Sequence, residues 1–209
     1  MPYPRFGYAV IGLAALTLSA WATAAELQFE VQTPAGAPMV DAIVYLTPQS
    51  PVPHGALPKS IIDQVNRQFV PRVSVVQAGT PVEFPNSDNI RHSVYSFSSA
   101  KTFTLKLYSG TPASPLVFDT AGVVVLGCNI HDRMLAWLLV VDTPYYAHTD
   151  QDGMVKLSNV PPGEYRLRAW HEPMSSETPG EIVHVDSGGA AVRKVTLDAG
   201  APDMAGMQH

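Results

Sequence analysis

Residues 122–141 read G-V-V-V-L-G-C-N-I-H-D-R-M-L-A-W-L-L-V-V, two apolar runs separated by the polar stretch Cys128 to Met134. Short apolar runs bounded by turn residues mark buried strands, so Gly122 to Gly127 and Leu135 to Val141 predict two neighbouring strands joined by a tight loop. That loop carries three side chains able to bind a soft or borderline metal, Cys128, His131 and Met134, at the spacing Cys-x-x-His-x-x-Met. With seven histidines and seven methionines in 209 residues, a single cysteine meets His at +3 and Met at +6 by chance about once in a thousand. A fourth ligand must come from elsewhere in the chain.

Upstream of this stretch lie further short β-rich runs: Val73 to Val76, Val82 to Phe84, His92 to Phe97, Phe103 to Tyr108 and Leu116 to Phe118. Loops such as Ala78-Gly79-Thr80-Pro81, Pro85 to Asn89 and Ser109-Gly110-Thr111-Pro112 separate them. So many strands in so short a span predict a sandwich or small barrel. The period of Ser60 to Asn66 fits either a strand or one helical turn. Nearer the start, Leu27, Phe29 and Val31 alternate on one face, a turn follows at Pro34 to Pro38, and Ala42 to Leu46 forms a second run. Thr47 to Lys59 holds four prolines and reads as a linker or long surface loop. In the last third, Asp152-Gly153 signals a hairpin and Val160 to Gly163 a tight turn, while Tyr165, Leu167 and Ala169 alternate with Arg166, Arg168 and Trp170. Two closing strands, Ile182 to Val185 and Ala191 to Leu197, precede a tail with no apolar period.

Composition agrees with an all-β chain. Nineteen prolines and 15 glycines with only 15% charged residues cut the chain into short segments, which argues against long helices and coiled coils. Apolar residues make up 46%, enough for one large core or two smaller ones. Thirteen basic against 18 acidic side chains leave no electrostatic footprint for nucleic acid.

The first 25 residues read as an export signal. Arg5 supplies the positive start, Tyr8 to Trp21 is uncharged and apolar, and Ala22-Thr23-Ala24 is a small-residue cleavage pattern. The apolar stretch is short for a bilayer core of about 30 Å, which favours cleavage over anchoring, and no membrane association is expected afterwards. Loss of this segment removes Arg5 and no acid, moving the net charge from −5 to −6. The expected location is the periplasm, an oxidising compartment. A lone Cys128 there forms no intramolecular disulfide, so its presence calls for a partner, burial or a metal.

His92 meets the need for a further ligand. It follows the polar loop Asn86 to Asn89 and opens a β-run 36 residues before Cys128, where sheet pairing brings it beside the ligand loop. His92, Cys128 and His131 with Met134 as a weak axial partner form a set that suits copper, since thiolate and thioether favour Cu(I) and imidazole accepts both oxidation states. Zinc also takes Cys and His, but its sites rarely use methionine. Taken singly, Cys128 reads as a small buried hydrophobe, Met134 as core filler and each histidine as a satisfied polar group; jointly they read as a site. His148 and His171 read as surface or inter-domain residues, and Met204, Met207 and His209 as ordinary residues of the tail. No G-x-S-x-G, H-E-x-x-H, phosphate loop or dinucleotide fingerprint is present, so no enzymatic activity is expected.

On these residues the segment from Gln64 to Val141 resembles a cupredoxin, with a ligand loop of the length found in amicyanins. The matching positions are His92 after P-N-S-D-N-I-R, the loop C-N-I-H-D-R-M, and the strand-turn-strand V-S-V-V-Q-A-G-T-P-V-E-F from Val73 to Phe84. The run F-D-x-x-G-V-V-V-L-G-C-N-I-H-D-R-M is also similar to exported proteins labelled methylamine utilisation protein. Two positions depart from the pattern: Ile130 stands where such loops commonly carry proline, and Ser93 where asparagine usually ties the two ligand loops together. The chain ends, V-Q-T-P-A-G-A-P-M-V-D-A-I-V-Y-L and T-D-Q-D-G-M-V-K-L-S-N-V-P-P-G-E-Y-R-L-R-A-W, resemble a carboxypeptidase-regulatory-like sandwich. The alternative is that the first strands simply extend the cupredoxin.

These resemblances imply an all-β chain in which a cupredoxin Greek-key β-sandwich is combined with a small Ig-like sandwich. The expected divisions are 1–25 signal peptide, 26–50 plus 143–198 carboxypeptidase-regulatory-like sandwich, 60–142 cupredoxin domain and 199–209 flexible tail. The implied cofactor is one type 1 copper ion held by His92, Cys128, His131 and Met134. The implied role is carriage of single electrons between transiently docked redox partner proteins, with the His131 edge as the crossing point. Copper storage or delivery, or a non-redox structural binding module, are the competing expectations.

Overall fold

The computed structural model describes residues 24–50, 56–174, 177–186 and 192–199. The predicted export signal, apart from its last two residues, lies outside the described residues, as do 51–55 of the proline-rich segment and the tail from 200 onward. Among the described residues there is no helix, and the strands are β1 (Ala25–Gln32), β2 (Ile43–Pro48), β3 (Ser60–Ile61), β4 (Asp63–Val65), β5 (Gln68–Val70) and β6 (Val73–Gln77). They continue with β7 (Thr80–Glu83), β8 (His92–Ser98), β9 (Lys101–Tyr108), β10 (Leu116–Phe118), β11 (Gly122–Gly127) and β12 (Leu135–Val141). The last are β13 (Tyr146–His148), β14 (Met154–Val160), β15 (Gly163–Trp170), β16 (Glu181–Val185) and β17 (Arg193–Thr196). The protein is all-β. The ambiguous stretch Ser60 to Asn66 forms β3 and β4 rather than a helical turn, because its backbone pairs with β7 and β5. The short strands β5 and β13 had no sequence prediction; three residues are too few to show a period.

Strands β3 to β12 build one sandwich. A five-stranded sheet of order β6-β12-β11-β8-β9 packs on a three-stranded sheet of order β10-β7-β3. Alternate residues point inward to a common cluster: Val82 and Phe118 from the smaller sheet, Val94, Val124, Leu126, Ala136, Leu138 and Val140 from the larger. Phe84, Phe103 and Phe118 fill its middle with ring centroids 5.9 to 6.3 Å apart, within the range of favourable edge and offset contacts.

The chain ends build a second sandwich from a β14-β1-β17 sheet and a β13-β2-β15-β16 sheet. Leu27, Phe29 and Val31 of β1 meet Val44 and Leu46 of β2, Val155 and Leu157 of β14, and Leu167 of β15 in a core of their own. β1 begins at Ala25, where the predicted signal ends. The chain leaves this sandwich after β2 and returns at Thr143, and the two crossings are stitched together. The buried Thr143 hydroxyl donates to the Leu46 carbonyl at 2.6 Å, and the Leu46 amide donates to the Tyr145 carbonyl at 2.9 Å.

A third cluster lies between the two sandwiches. Trp137, Leu139 and Val141 of β12 face Ile43 and Tyr45 of β2 and Trp170 of β15, while Ala136, Leu138 and Val140 point the other way. Both faces of β12 are therefore buried, which accounts for its unbroken apolar sequence. Trp170 is fully buried and its indole N–H donates to the Met174 carbonyl at 3.0 Å. Trp170→Ala opens a large cavity at this seam and is expected to cost about 3–5 kcal/mol, read as a lowered urea midpoint of the apo protein.

Candidate metal centre

Cys128 follows directly on β11, whose last residue, Gly127, pairs with Tyr95 of β8. A Cβ at Gly127 would lie 2.6 Å from the Tyr95 ring, so the glycine lets an aromatic ring cover the backbone beside the cysteine. From Cys128 the chain makes two tight turns before β12. The second is closed by the Met134 amide donating to the His131 carbonyl at 2.8 Å. This tightness keeps His131 close to Cys128.

His92 opens β8 two strands away from β12 and is fully buried. Its Nδ1 lies 3.8 Å from the Cys128 Sγ, and its Nε2 lies 2.8 Å from a carboxylate oxygen of Asp88. The His131 ring stands 5.0 Å from the His92 ring, centroid to centroid, tilted by 55°. One ligand-capable atom from each of His92, Cys128 and His131 falls within 4.8 Å of the others. Met134 is 1% exposed and its side chain belongs to the same apolar cluster as Cys128. His92, at the start of β8, and Cys128 and His131, in the loop after β11, thus converge, and Met134 closes that same loop.

The residues fit a metal better than they fit one another. His131 Nδ1 is buried and has no hydrogen-bond partner, an arrangement that is costly for a polar atom with nothing to bind. A buried thiol and two imidazole nitrogens converge there without a carboxylate among them, a soft-to-borderline donor set. Among the described residues this is the His/Cys/Asp/Glu group that meets metal-site geometry. The residue His131 itself is only partly buried although its Nδ1 is enclosed, so another part of it reaches solvent.

Ser93, at the position where asparagine was the expected tie, does link the two loops. Its hydroxyl oxygen accepts the Asn129 N–H at 3.0 Å, and the hydroxyl lies 3.8 Å from the Cys128 Sγ as a donor. Ile130 is 48% exposed beside the histidine. Behind His92, Tyr108 donates to the Phe84 carbonyl at 2.6 Å, and burial, partly opposed by a hydrogen bond from the Gln64 side chain, pushes its hydroxyl up to about 12, so it stays a donor. His171 lies away from this centre, with its ring nitrogens near the Val40 and Glu172 carbonyls. The sequence reading missed Asp88, although its place four residues before His92 in the same polar loop was visible.

No family model and no curated protein matches the chain. Among solved structures it is similar to the copper-containing nitrite reductase NirK from Thermus scotoductus SA-01, with 25% identity over 44% of this chain and 25% of that one, TM-score 0.38. It is similar to a reduced amicyanin variant, with 21% identity over 46% of this chain and 99% of that one, TM-score 0.36. It is also similar to a purple cupredoxin from Nitrosopumilus maritimus, with 22% identity over 39% of this chain and 96% of that one, TM-score 0.34. The chain spans about a quarter of the nitrite reductase's length.

Ser93→Ala removes the acceptor for the Asn129 amide and the donor facing the thiol. It is expected to destabilise the apo protein by about 1–3 kcal/mol, measured as a lower urea midpoint, without altering the far-ultraviolet β signal.

Proposed function

We propose that this protein is an exported type 1 copper carrier that shuttles single electrons between transiently bound partner proteins. The observation that carries the reading is the buried, unpartnered His131 Nδ1 beside the Cys128 thiol and His92 Nδ1. Copper held there would supply a one-electron couple whose two oxidation states both tolerate thiolate and imidazole. Cys128 would contribute the thiolate, His92 and His131 the two imidazoles, and Met134 a weakly held thioether. With methionine in that role no position is left for substrate, which fits a carrier and not a catalyst.

The chain's own contribution is to hold these groups still. His92 sits on a paired strand, Cys128 abuts one, and the loop of Cys128 and His131 is fastened through Ser93. A donor set fixed by strands changes little when the metal changes charge, and low rearrangement is what fast electron exchange requires. The partly exposed His131 is the crossing point in this reading, and small, short-lived interfaces fit a carrier. We read 60–142 as the metal-bearing domain, inserted into a sandwich formed by 26–50 and 143–198, and the periplasm as its place of work. No helix among the described residues is long and apolar enough to cross a membrane.

The test is an absorption spectrum after addition of Cu(II) to the purified protein, to Cys128→Ser and to Met134→Leu. The carrier reading expects one equivalent of copper, an intense visible thiolate-to-copper band, its complete loss in Cys128→Ser and a shift in Met134→Leu. Absence of that band from folded protein would overturn it. Rapid loss of copper to a chelator with no reversible redox wave would replace it with copper delivery.

A further inference from the structure

The loop before His92 is held from several sides. Asn86 accepts the Asp88 amide at 3.1 Å through its side-chain oxygen and donates to the Ile90 and Tyr108 carbonyls, both at 2.9 Å. Ser87 donates its hydroxyl to Asp63 at 2.7 Å, and its amide to the Gln64 carbonyl at 3.1 Å. Between them, the Asp88 side chain is 12% exposed. One of its oxygens accepts the Asn66 amide at 2.7 Å; the other accepts the Arg67 amide at 2.8 Å and faces His92 Nε2, also at 2.8 Å.

The two amides come from the turn of the β4–β5 hairpin. Asn66 and Arg67 have φ of 52° and 60°, the left-handed pair that a two-residue hairpin turn demands. Consecutive left-handed residues aim successive N–H groups to one side, and here they grip both oxygens of one carboxylate. A carboxylate fixed in this way accepts a hydrogen bond from Nε2–H, which leaves Nδ1 of the same ring without a proton. Nδ1 is the atom that faces the Cys128 Sγ.

We propose that Asp88, clamped by the Asn66–Arg67 turn, is a positioning residue of the metal centre: it selects the Nε2–H tautomer of His92, presents Nδ1 to the metal and biases bound copper toward its oxidised state. The proposal rests on the copper reading for its last clause only. A neutral carbonyl or a water would fix the tautomer equally well, but a carboxylate also makes the imidazole a stronger donor and adds a negative charge. Both effects favour Cu(II) over Cu(I). Because Asp88 is largely buried, solvent screens it less than it screens Asp132, the exposed acid beside His131.

Two readouts separate this inference from the copper reading. In metal-free, nitrogen-15-labelled protein in alkaline buffer, the imidazole nitrogen spectrum is expected to show His92 protonated on Nε2, and Asp88→Ala to show a mixture of tautomers. Protonation on Nδ1 in the unaltered protein, or an unchanged tautomer in Asp88→Ala, would overturn the positioning role whether or not copper binds. In copper-loaded protein, Asp88→Asn keeps the shape and loses the charge. Its Cu(I)-to-Cu(II) preference is expected to rise about tenfold, a positive shift of about 59 mV for a one-electron couple. Asp132→Asn is expected to shift the potential less. An intact visible band with an unmoved potential in Asp88→Asn would overturn the electrostatic part, whereas a missing band in the unaltered protein would instead overturn the copper reading.

Discussion

Burial of β12 on both faces is the constraint from which the rest of the architecture follows. One set of side chains, Ala136, Leu138 and Val140, completes the core of the first sandwich; the alternate set, Trp137, Leu139 and Val141, forms the seam with the second. A strand with no polar face has to be covered twice, so the exposed alternative is excluded for either sandwich alone. β2 carries the matching burden, with Val44 and Leu46 inward and Ile43 and Tyr45 at the seam. The result is four sheets stacked through three apolar layers. β12 begins immediately after Met134, so the Cys128–Met134 loop hangs from a strand packed on both faces.

The candidate metal centre exploits that anchoring. Cys128 follows the end of β11 and Met134 precedes the start of β12, and every residue of β11 pairs with β12, from Gly122↔Val140 to Gly127↔Leu135. The loop between them is consequently too short to wander. His92 reaches the same place from β8, which touches β11 through the Gly127↔Tyr95 pair. The polar groups then sort by role. Those facing inward to the loop ends, Ser93 and Asp88, are spent on other protein groups, while His131 Nδ1 alone among the imidazole nitrogens there is buried and unpartnered.

What could be read from the sequence was whatever repeats at a period or sits at a fixed spacing. Leu135 to Val141 gave its strand limits because seven apolar residues in a row admit little else, and the Cys-x-x-His-x-x-Met loop could be assigned because both its flanks were strands. His92 was reachable as the histidine at the start of a β-run. The seam was not: Trp170 looks like the outward residue of an alternating strand, and only the facing Trp137 and Leu139, distant in sequence, make that outward side apolar. The Asp88 clamp was also hidden, since it depends on two left-handed residues in a turn whose strands are three residues each. Such short strands carry no period, and backbone amides carry no sequence signature.

The seam differs in character from its rim, and the difference bears on how the two sandwiches work together. Its centre is apolar, but at one edge Arg72 pairs with Glu172 at 3.0 Å and stacks 5.0 Å above Trp137. There it borders a cleft of about 230 Å³ shared by Val40 and Asp41 from one sandwich and Pro71 and Val73 from the other. Arg72 is mostly exposed, so solvent screening leaves its ion pair little energy and its contribution is chiefly orientation. The apolar layer supplies the attraction. Arg72 adjoins β6, and β6 runs parallel to β12 from Val73↔Trp137 to Gln77↔Val141, so the rim contact falls beside the strand that follows the Cys128–Met134 loop. The second sandwich is thereby tied to the strands that carry the candidate metal centre and not merely to the surface around it.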